Sequence, residues 1–197
     1  MALSPFSVLR FIGLVLGALL GANQALAHPH IWVDSQYQIT VDSPAIQTFD
    51  ATWSMDAFTS LSLLQNYDTN GDGKLMGEER KELLNGLRNL KKNDYFVQLK
   101  VNQKTVRPKD VEITHFSFKN KLLTVDLKVT LKAPVNLYQS TLSIAFGDSD
   151  YYFAMVPLEE GLLRLSGKLA ESCTPISHDG KERGIETWVD LTCEPAP

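Results

Sequence analysis

The chain has 197 residues and is 44% hydrophobic, which is enough for one folded domain with a substantial core. Its formal net charge of −4 indicates a mixed, modestly acidic surface, which argues against nucleic acid as a partner because nucleic-acid-binding domains carry basic patches. The sequence lacks the G-x-S-x-G, H-E-x-x-H and phosphate-loop motifs, so we expect a protein that is not an enzyme.

The first 27 residues have the features of a secretory signal peptide. Arg10 precedes an apolar run over 11–20, and Ala25-Leu26-Ala27 is a small-residue cleavage site. The apolar run is shorter than a typical membrane-spanning helix, although an uncleaved anchor is the alternative. Cleavage would leave a mature single domain, residues 28–197, that is periplasmic and peripheral to a membrane at most.

Cleavage after Ala27 makes His28 the new N-terminus, followed by Pro29 and His30. The α-amine and the imidazole of one histidine can chelate a metal ion, and a second imidazole completes a histidine brace. Nitrogen ligands of this kind suit copper, nickel, cobalt or zinc. The alternative is that two exposed histidines simply lead into the first strand.

Alternating apolar residues predict a first strand from Ile31 to Val41 and a second strand from Ile46 to Trp53. A helical unit over about 55–91 then interrupts the strand pattern. At its centre, Asp68 to Glu79 fits the calcium-loop pattern D-x-[DN]-x-[DN]-G-x5-E at every fixed position. Apolar residues recur at helical spacing on both sides, so the sequence predicts helix, loop, helix.

The loop offers oxygen ligands at alternate positions. Asp68, Asn70 and Asp72 contribute side chains, Lys74 its carbonyl and Glu79 two carboxylate oxygens, which favours calcium as a hard cation. Gly73 stands at the sharp turn of the loop. Met76 occupies the ninth position, where a polar side chain often holds a water. A surface turn that binds nothing is the alternative. Since only one such loop is present, we expect a structural or weak site.

Strand patterns resume after the helical unit. We predict strands at 97–101, 111–118, 123–131, 142–146, 151–156, 163–169 and 185–191. The resulting fold class is α+β and mainly β, a β-sandwich-like domain with an inserted EF-hand-type helix-loop-helix. His115 is expected on the strand face of Val111 and Ile113, as a core or edge residue. His178 follows in a polar loop, where both a ligand and a plain loop residue stay possible.

Cys173 and Cys193 are the only cysteines in the sequence. An even count in an exported chain predicts one disulfide, which would tie the last two segments together. A metal-binding or redox pair is the alternative, but the C-x-x-C spacing that would favour it is absent.

Four segments together resemble domain-of-unknown-function family 1007, a set of bacterial periplasmic proteins. They are His28–Asp34 after the signal, Trp53–Asp56 before the loop, Asn93–Phe96 after the exiting helix and Asp150–Phe153 late in the chain. The resemblance covers nearly the whole mature chain. Many members are encoded beside, or fused to, nickel/cobalt-type transporters, so the resemblance implies metal handling with an inner-membrane metal transporter as partner.

Three hypotheses follow for the function. The first is a periplasmic accessory or metal-binding component of a transition-metal transport system, with His28 and His30 at the metal site and one stabilising calcium ion. The second is a calcium-stabilised protein-interaction module that binds no transition metal. The third is a histidine-brace copper enzyme, which would need a third nitrogen ligand from His115 or His178.

Overall fold

The computed structural model describes residues 30–195, so the predicted signal segment and His28 lie outside the described residues. The strands are β1 (Ile31–Thr40), β2 (Ala45–Met55), β3 (Val97–Val101), β4 (Lys104–Val106), β5 (Asp110–Lys119), β6 (Leu122–Asn136), β7 (Leu142–Phe146), β8 (Phe153–Pro157), β9 (Leu163–Ser166), β10 (Cys173–Asp179) and β11 (Thr187–Cys193). The helices are α1 (Ala57–Tyr67) and α2 (Gly77–Arg88), with 3-10 segments at Asn89–Phe96 and Ala170–Ser172.

The strands form two sheets. The first sheet has the order β5-β6-β2-β1-β8, and β9 pairs with the same edge of β1 further along. The second sheet has the order β10-β11-β7-β3-β4. Strands β8 and β9 run parallel to β1, whereas the other pairings are antiparallel. The predicted α+β, mainly β fold class is confirmed, and the helical unit lies between β2 and β3 as expected.

An aromatic cluster fills the space between the sheets. The ring of Tyr37 on β1 stacks on Phe146 of β7 with ring centroids 4.2 Å apart, and its hydroxyl donates to the Ala145 carbonyl at 2.8 Å. Burial raises the pKa of Tyr37 well above its ordinary value, so the hydroxyl stays a donor. Trp53 of β2 packs edge-on against Phe146. These contacts join the two sheets through the core.

The disulfide between Cys173 and Cys193 is confirmed. It joins directly paired positions of β10 and β11, and its sequence separation of 20 corresponds to about 3 kcal/mol of loop-entropy stabilisation. A structural disulfide is typical of oxidising compartments such as the periplasm. Within residues 30–195, we find no helix that is long and apolar enough to span a membrane.

The sequence pattern did not predict two of the strands, and it misplaced two histidines. His178, expected in a polar loop, lies in β10 opposite Trp188. Strand β4 is only three residues long, and β10 has a mostly exposed, polar sequence, so neither shows clear alternation. The prediction that His115 shares a face with Val111 and Ile113 is wrong. The register of β5 against β6 shifts between Ile113 and His115, and this irregularity leaves His115 exposed. Tyr152, also expected in a strand, is half-exposed outside one.

Glu182 binds two side chains on the outer face of the second sheet. It accepts a hydrogen bond from Lys100 Nζ at 2.7 Å and one from Trp188 Nε1 at 3.0 Å. Lys100 also lies 3.9 Å above the Trp188 ring. The Lys100 bond is the main reason that the pKa of Glu182 falls from its usual 4.5 to about 2, and the Trp188 bond adds to it.

We predict that the Glu182 contacts stabilise the fold at neutral pH and lose that effect in acid. Because the folded-state pKa lies below the unfolded value of 4.5, the contribution is complete above that pH and disappears as the pH falls through about 2. Glu182→Gln should flatten the pH dependence of the unfolding free energy in this window, measured by urea unfolding with tryptophan fluorescence. Glu186→Gln, an exposed carboxylate of the same loop, should not. Equal slopes in both variants would contradict the prediction.

Candidate metal centre

The helical hairpin is held firmly against the first sheet. Asp56 caps α1, because its Oδ1 accepts a hydrogen bond from the Thr59 amide at 2.8 Å. The buried Ser60 hydroxyl accepts from the Leu123 amide of β6 at 2.8 Å. On α2, Arg80 donates to the Phe116 carbonyl at 2.8 Å and lies 3.9 Å above the Phe116 ring. Both helices therefore present the loop between them from a fixed base.

The loop itself turns alternate side chains towards its own backbone. Asp68 Oδ2 accepts from the Gly73 amide at 2.7 Å, so the first and sixth loop residues are joined. Asn70 Oδ1 accepts from the Asp72 amide at 2.8 Å, and Asp72 Oδ1 accepts from the Lys74 amide at 2.8 Å. The three predicted side-chain ligands thus share the inner side of the loop, in the turn conformation typical of Asx residues.

Glu79 closes the loop from the first turn of α2. Its Oε1 accepts from the Thr69 amide at 2.9 Å, the Thr69 hydroxyl at 2.8 Å and the Asn70 amide at 3.2 Å. Its Oε2 faces the Met76 amide at 3.4 Å. The Thr69 hydroxyl bond lowers the pKa of Glu79 most, and the backbone bonds add to it, so the carboxylate is ionised at neutral pH. Thr69 therefore holds Glu79 in place, a role that the calcium-loop pattern did not predict.

Three further loop positions differ in their surroundings. Gly73 has a φ of +76°, in the left-handed region that favours glycine. Leu75 is buried and packs on the core of its own domain. Met76 is 65% exposed and its side chain has no oxygen, so a ninth-position ligand would have to be water or backbone.

The donor chemistry of the loop fits a hard cation. Asp68, Asn70, Asp72 and Glu79 supply only oxygen side-chain ligands, and the Lys74 carbonyl adds another, as calcium prefers. As the side chains stand, no three His, Cys, Asp or Glu residues of the described part of the chain converge as a ready-made metal cluster. The carboxylates of the loop bond to its amides instead, and a bound ion would have to compete with these bonds.

Of the two histidines predicted to bind a transition metal, the structure describes His30. His30 is exposed, and its amide donates to the Tyr152 carbonyl at 2.9 Å. The His30 ring lies 5.0 Å from the Tyr152 ring, centroid to centroid. Because His28 lies outside the described residues, a transition-metal site at the N-terminus stays a prediction.

Segments that lie far apart in the sequence meet at this end of the sandwich. The Trp32 amide donates to Asp56 Oδ2 at 3.1 Å, and the Asp56 amide donates back to the Trp32 carbonyl at 2.9 Å. The Phe96 ring lies 4.7 Å from the Phe153 ring. The described parts of the four segments that carried the family resemblance therefore lie close together.

One feature of that region was not visible in the sequence pattern. Asp94, Tyr95 and Phe96 are three consecutive non-glycine residues with positive φ, at 49°, 51° and 61°. Such backbone is strained and needs support from its surroundings. Asp94 receives it from Arg107, whose Nε donates at 2.8 Å, and the Tyr95 ring packs on Trp53. A glycine or asparagine run would have signalled this turn, but the sequence has neither across these three residues.

Comparison with known proteins gives a family but no activity. Residues 13–186 match the family described as Protein of unknown function (DUF1007). A relative from Haemophilus influenzae, described as an uncharacterized protein, is 25% identical over 170 residues, which cover 84% of this chain and 79% of the relative. No solved structure matches the chain.

We predict that Gly73→Ala destabilises the protein through its backbone alone. A Cβ at this position would meet no atom within 4 Å, so the cost comes from the left-handed conformation, about 1–2 kcal/mol. Urea unfolding without added metal should show this loss. Lys74→Ala, at the adjacent exposed position, should change stability by less than about 0.5 kcal/mol. Equal stabilities of the two variants would show that the turn is not strained.

Proposed function

Because the chain belongs to the family described as Protein of unknown function (DUF1007), we propose that it is a periplasmic accessory or metal-binding component of a transition-metal transport system, stabilised by one calcium ion. The proposal has a calcium part and a transport part. The calcium part rests on the loop at residues 68–79, whose side-chain oxygens bond to the loop's own backbone and which Glu79 closes. The transport part rests on the family resemblance and on the exposed His30, which directly precedes β1.

Calcium would act here as a mechanical link. Asp68 is the C-cap residue of α1, and Glu79 lies in the first turn of α2. An ion bound by both residues would therefore connect the two helices. Calcium takes about seven oxygen ligands in such loops, and extracellular sites of this kind bind with dissociation constants of about 10⁻⁴ to 10⁻³ M. A site in that range suits permanent stabilisation in a compartment outside the cytosol.

The nitrogen ligands of the N-terminus would select a different class of metal ion from the calcium loop. Imidazole and amine nitrogens select nickel, cobalt, copper or zinc, whereas the oxygen loop selects a hard cation. His30 is exposed and its backbone is fixed by Tyr152, so a metal held by residues 28 and 30 would be open to a partner. The partner implied by the family resemblance is an inner-membrane metal transporter.

A second candidate function has one observation in its favour. Large apolar side chains are exposed on α1 and β1, namely Phe58 at 82%, Trp32 at 53% and Leu61 at 53%. Phe58 and Leu61 are one turn apart on α1, and a contiguous exposed apolar patch, unlike a single exposed residue, is typical of interaction surfaces. A calcium-stabilised interaction module with no transition-metal site would use this surface and leave the histidines without a role.

We predict that calcium raises the melting temperature of the protein through Glu79. For a dissociation constant of about 10⁻⁴ M, 10 mM calcium is about a 100-fold excess and stabilises by about 2.7 kcal/mol. Glu79→Gln should lose this calcium-dependent gain in calorimetry. The neighbouring Glu78→Gln should keep it, because Glu78 bonds to Lys81 on the surface of α2 and, among the described residues, makes no bond to the loop. A calcium effect that survives Glu79→Gln would remove the calcium part of the proposal.

We predict that the mature protein, isolated from periplasm, begins at residue 28 and binds a nickel, cobalt, copper or zinc ion there. Native mass spectrometry reports the N-terminal mass and the bound metals in one spectrum. His28→Ala with His30→Ala should remove one transition-metal ion per chain and leave calcium in place. Unchanged transition-metal binding would contradict the transport part, and calcium alone in the unmodified protein would favour the interaction module.

A further inference from the structure

Most of the large apolar side chains that are exposed among residues 30–195 lie at one end of the first sheet. The strand register brings the starts of β1, β6 and β8 and the end of β2 to this end, with the hairpin between β5 and β6 beside them. Four exposed apolar side chains occupy it and are called the end patch here: Trp32 on β1, Phe58 and Leu61 on α1, and Tyr152 directly before β8.

Backbone contacts bring the members of the end patch next to one another. The Trp32 amide donates to Asp56 Oδ2 at 3.1 Å, and Asp56 is the N-cap residue of α1, two residues before Phe58. On the other side, the His30 amide donates to the Tyr152 carbonyl at 2.9 Å. The end patch therefore extends over adjacent strands and onto the helix that follows β2. Because neighbouring strands are about 4.8 Å apart, β6, β2, β1 and β8 together span about 14 Å.

The α1 side of the end patch is uncharged and is flanked by lysines. Helix α1 contains no charged residue. Lys119 and Lys121 belong to the hairpin between β5 and β6, where both are exposed and form no ion pair within the described part of the chain. Lys121 lies two residues before Leu123, whose amide donates to the Ser60 hydroxyl of α1 at 2.8 Å. Two cationic side chains thus lie beside the apolar face of α1.

The carboxylates of this end lie elsewhere or are already engaged. Asp34 and Asp150 are exposed on the side of β1 and β8, which the sheet order separates from the lysine hairpin by β2 and β6. Asp56 accepts hydrogen bonds from the Trp32 amide and from the amide and hydroxyl of Thr59. Anionic groups of a partner would therefore meet the lysines on the α1 side of the end patch.

We propose that the end patch docks on the surface of an anionic phospholipid bilayer, with α1 and the lysine hairpin facing the headgroups. Tryptophan and tyrosine rings are enriched at the interface between lipid and water, because each ring has an apolar body and a polar group. Phenylalanine and leucine side chains on an exposed helix face insert below the headgroups. Lysines at the same level attract anionic lipids. This docking does not depend on the calcium or transition-metal binding proposed above.

The position of the leader favours a bilayer over a protein partner. Residues 1–29 precede the described chain, and their apolar run over 11–20 is typical of a segment that enters a membrane. The nine residues 21–29 span at most about 30 Å when fully extended. They lead directly to His30, beside Trp32 and Tyr152. The end patch therefore stays within about 30 Å of the bilayer for as long as the leader is attached and inserted.

The test is binding of the mature protein, residues 28–197, to vesicles of phosphatidylcholine and phosphatidylglycerol in equal parts. Of the three tryptophans, Trp32 is 53% exposed, whereas Trp53 and Trp188 are 1% and 3% exposed, so a change in tryptophan emission reports the end patch. We expect a blue shift, protection from iodide quenching and co-sedimentation with the vesicles. Phe58→Ser should weaken binding by about tenfold, the factor that corresponds to burial of one large apolar side chain.

Two further variants separate the apolar and the charged contributions. Ile176→Ser is the matched control, because Ile176 is 58% exposed but belongs to β10 of the second sheet, and it should bind like the unmodified protein. Lys119→Gln with Lys121→Gln should reduce binding to the level seen with pure phosphatidylcholine. Circular dichroism checks that each variant is folded, and the calcium concentration is the same throughout.

Several results would overturn the proposal. The first is the absence of both a blue shift and co-sedimentation, and the second is equal vesicle binding by Phe58→Ser and Ile176→Ser. A third is a lipid-free dimer, seen by analytical ultracentrifugation, that Phe58→Ser dissociates, because the end patch would then be covered by a second copy of the chain. Equal binding of the unmodified protein to pure phosphatidylcholine would contradict the anionic preference. None of these results bears on metal binding, which is measured without lipid.

Discussion

One buried tyrosine constrains how the two sheets face each other. Tyr37 is fully buried, and an unpaired buried hydroxyl would cost about 1–3 kcal/mol. Its hydroxyl therefore reaches across the core to the Ala145 carbonyl, while its ring stacks on Phe146 of the same strand. A hydrogen bond and a stacked ring at neighbouring positions allow little sliding of one sheet over the other. The aromatic core around Trp53 packs within that arrangement.

The end of the molecule that holds the start of β1 depends on the same core. Trp53 contacts both Tyr95 and Phe96, which belong to the left-handed turn, and Phe96 contacts Phe153 at the start of β8. These aromatic contacts hold strained backbone in place and bring the loop before β8 next to the start of β1. The segment around His30 is thereby tied to the sandwich, and does not hang free of it.

The helical insertion adds a second, local constraint. Glu79 bonds to residues at the beginning of the loop from a helix that follows the loop, so one carboxylate connects both ends. Ser60 and Arg80 connect the same two helices to the first sheet. A cation in the loop would therefore act on the stability of the whole insertion, and not only on twelve loop residues.

The sequence by itself determined the features that depend on short spacing: the alternation of β1, β2 and β6, the helix-loop-helix, and the pairing of two cysteines. Spacing suffices there because each pattern reports which side of a strand or loop a residue faces. Only the tertiary structure decided the exposure of His115, the left-handed turn at Asp94, and the approach of His178 to Asp190. These depend on strand register and on packing between distant segments, which no local pattern encodes.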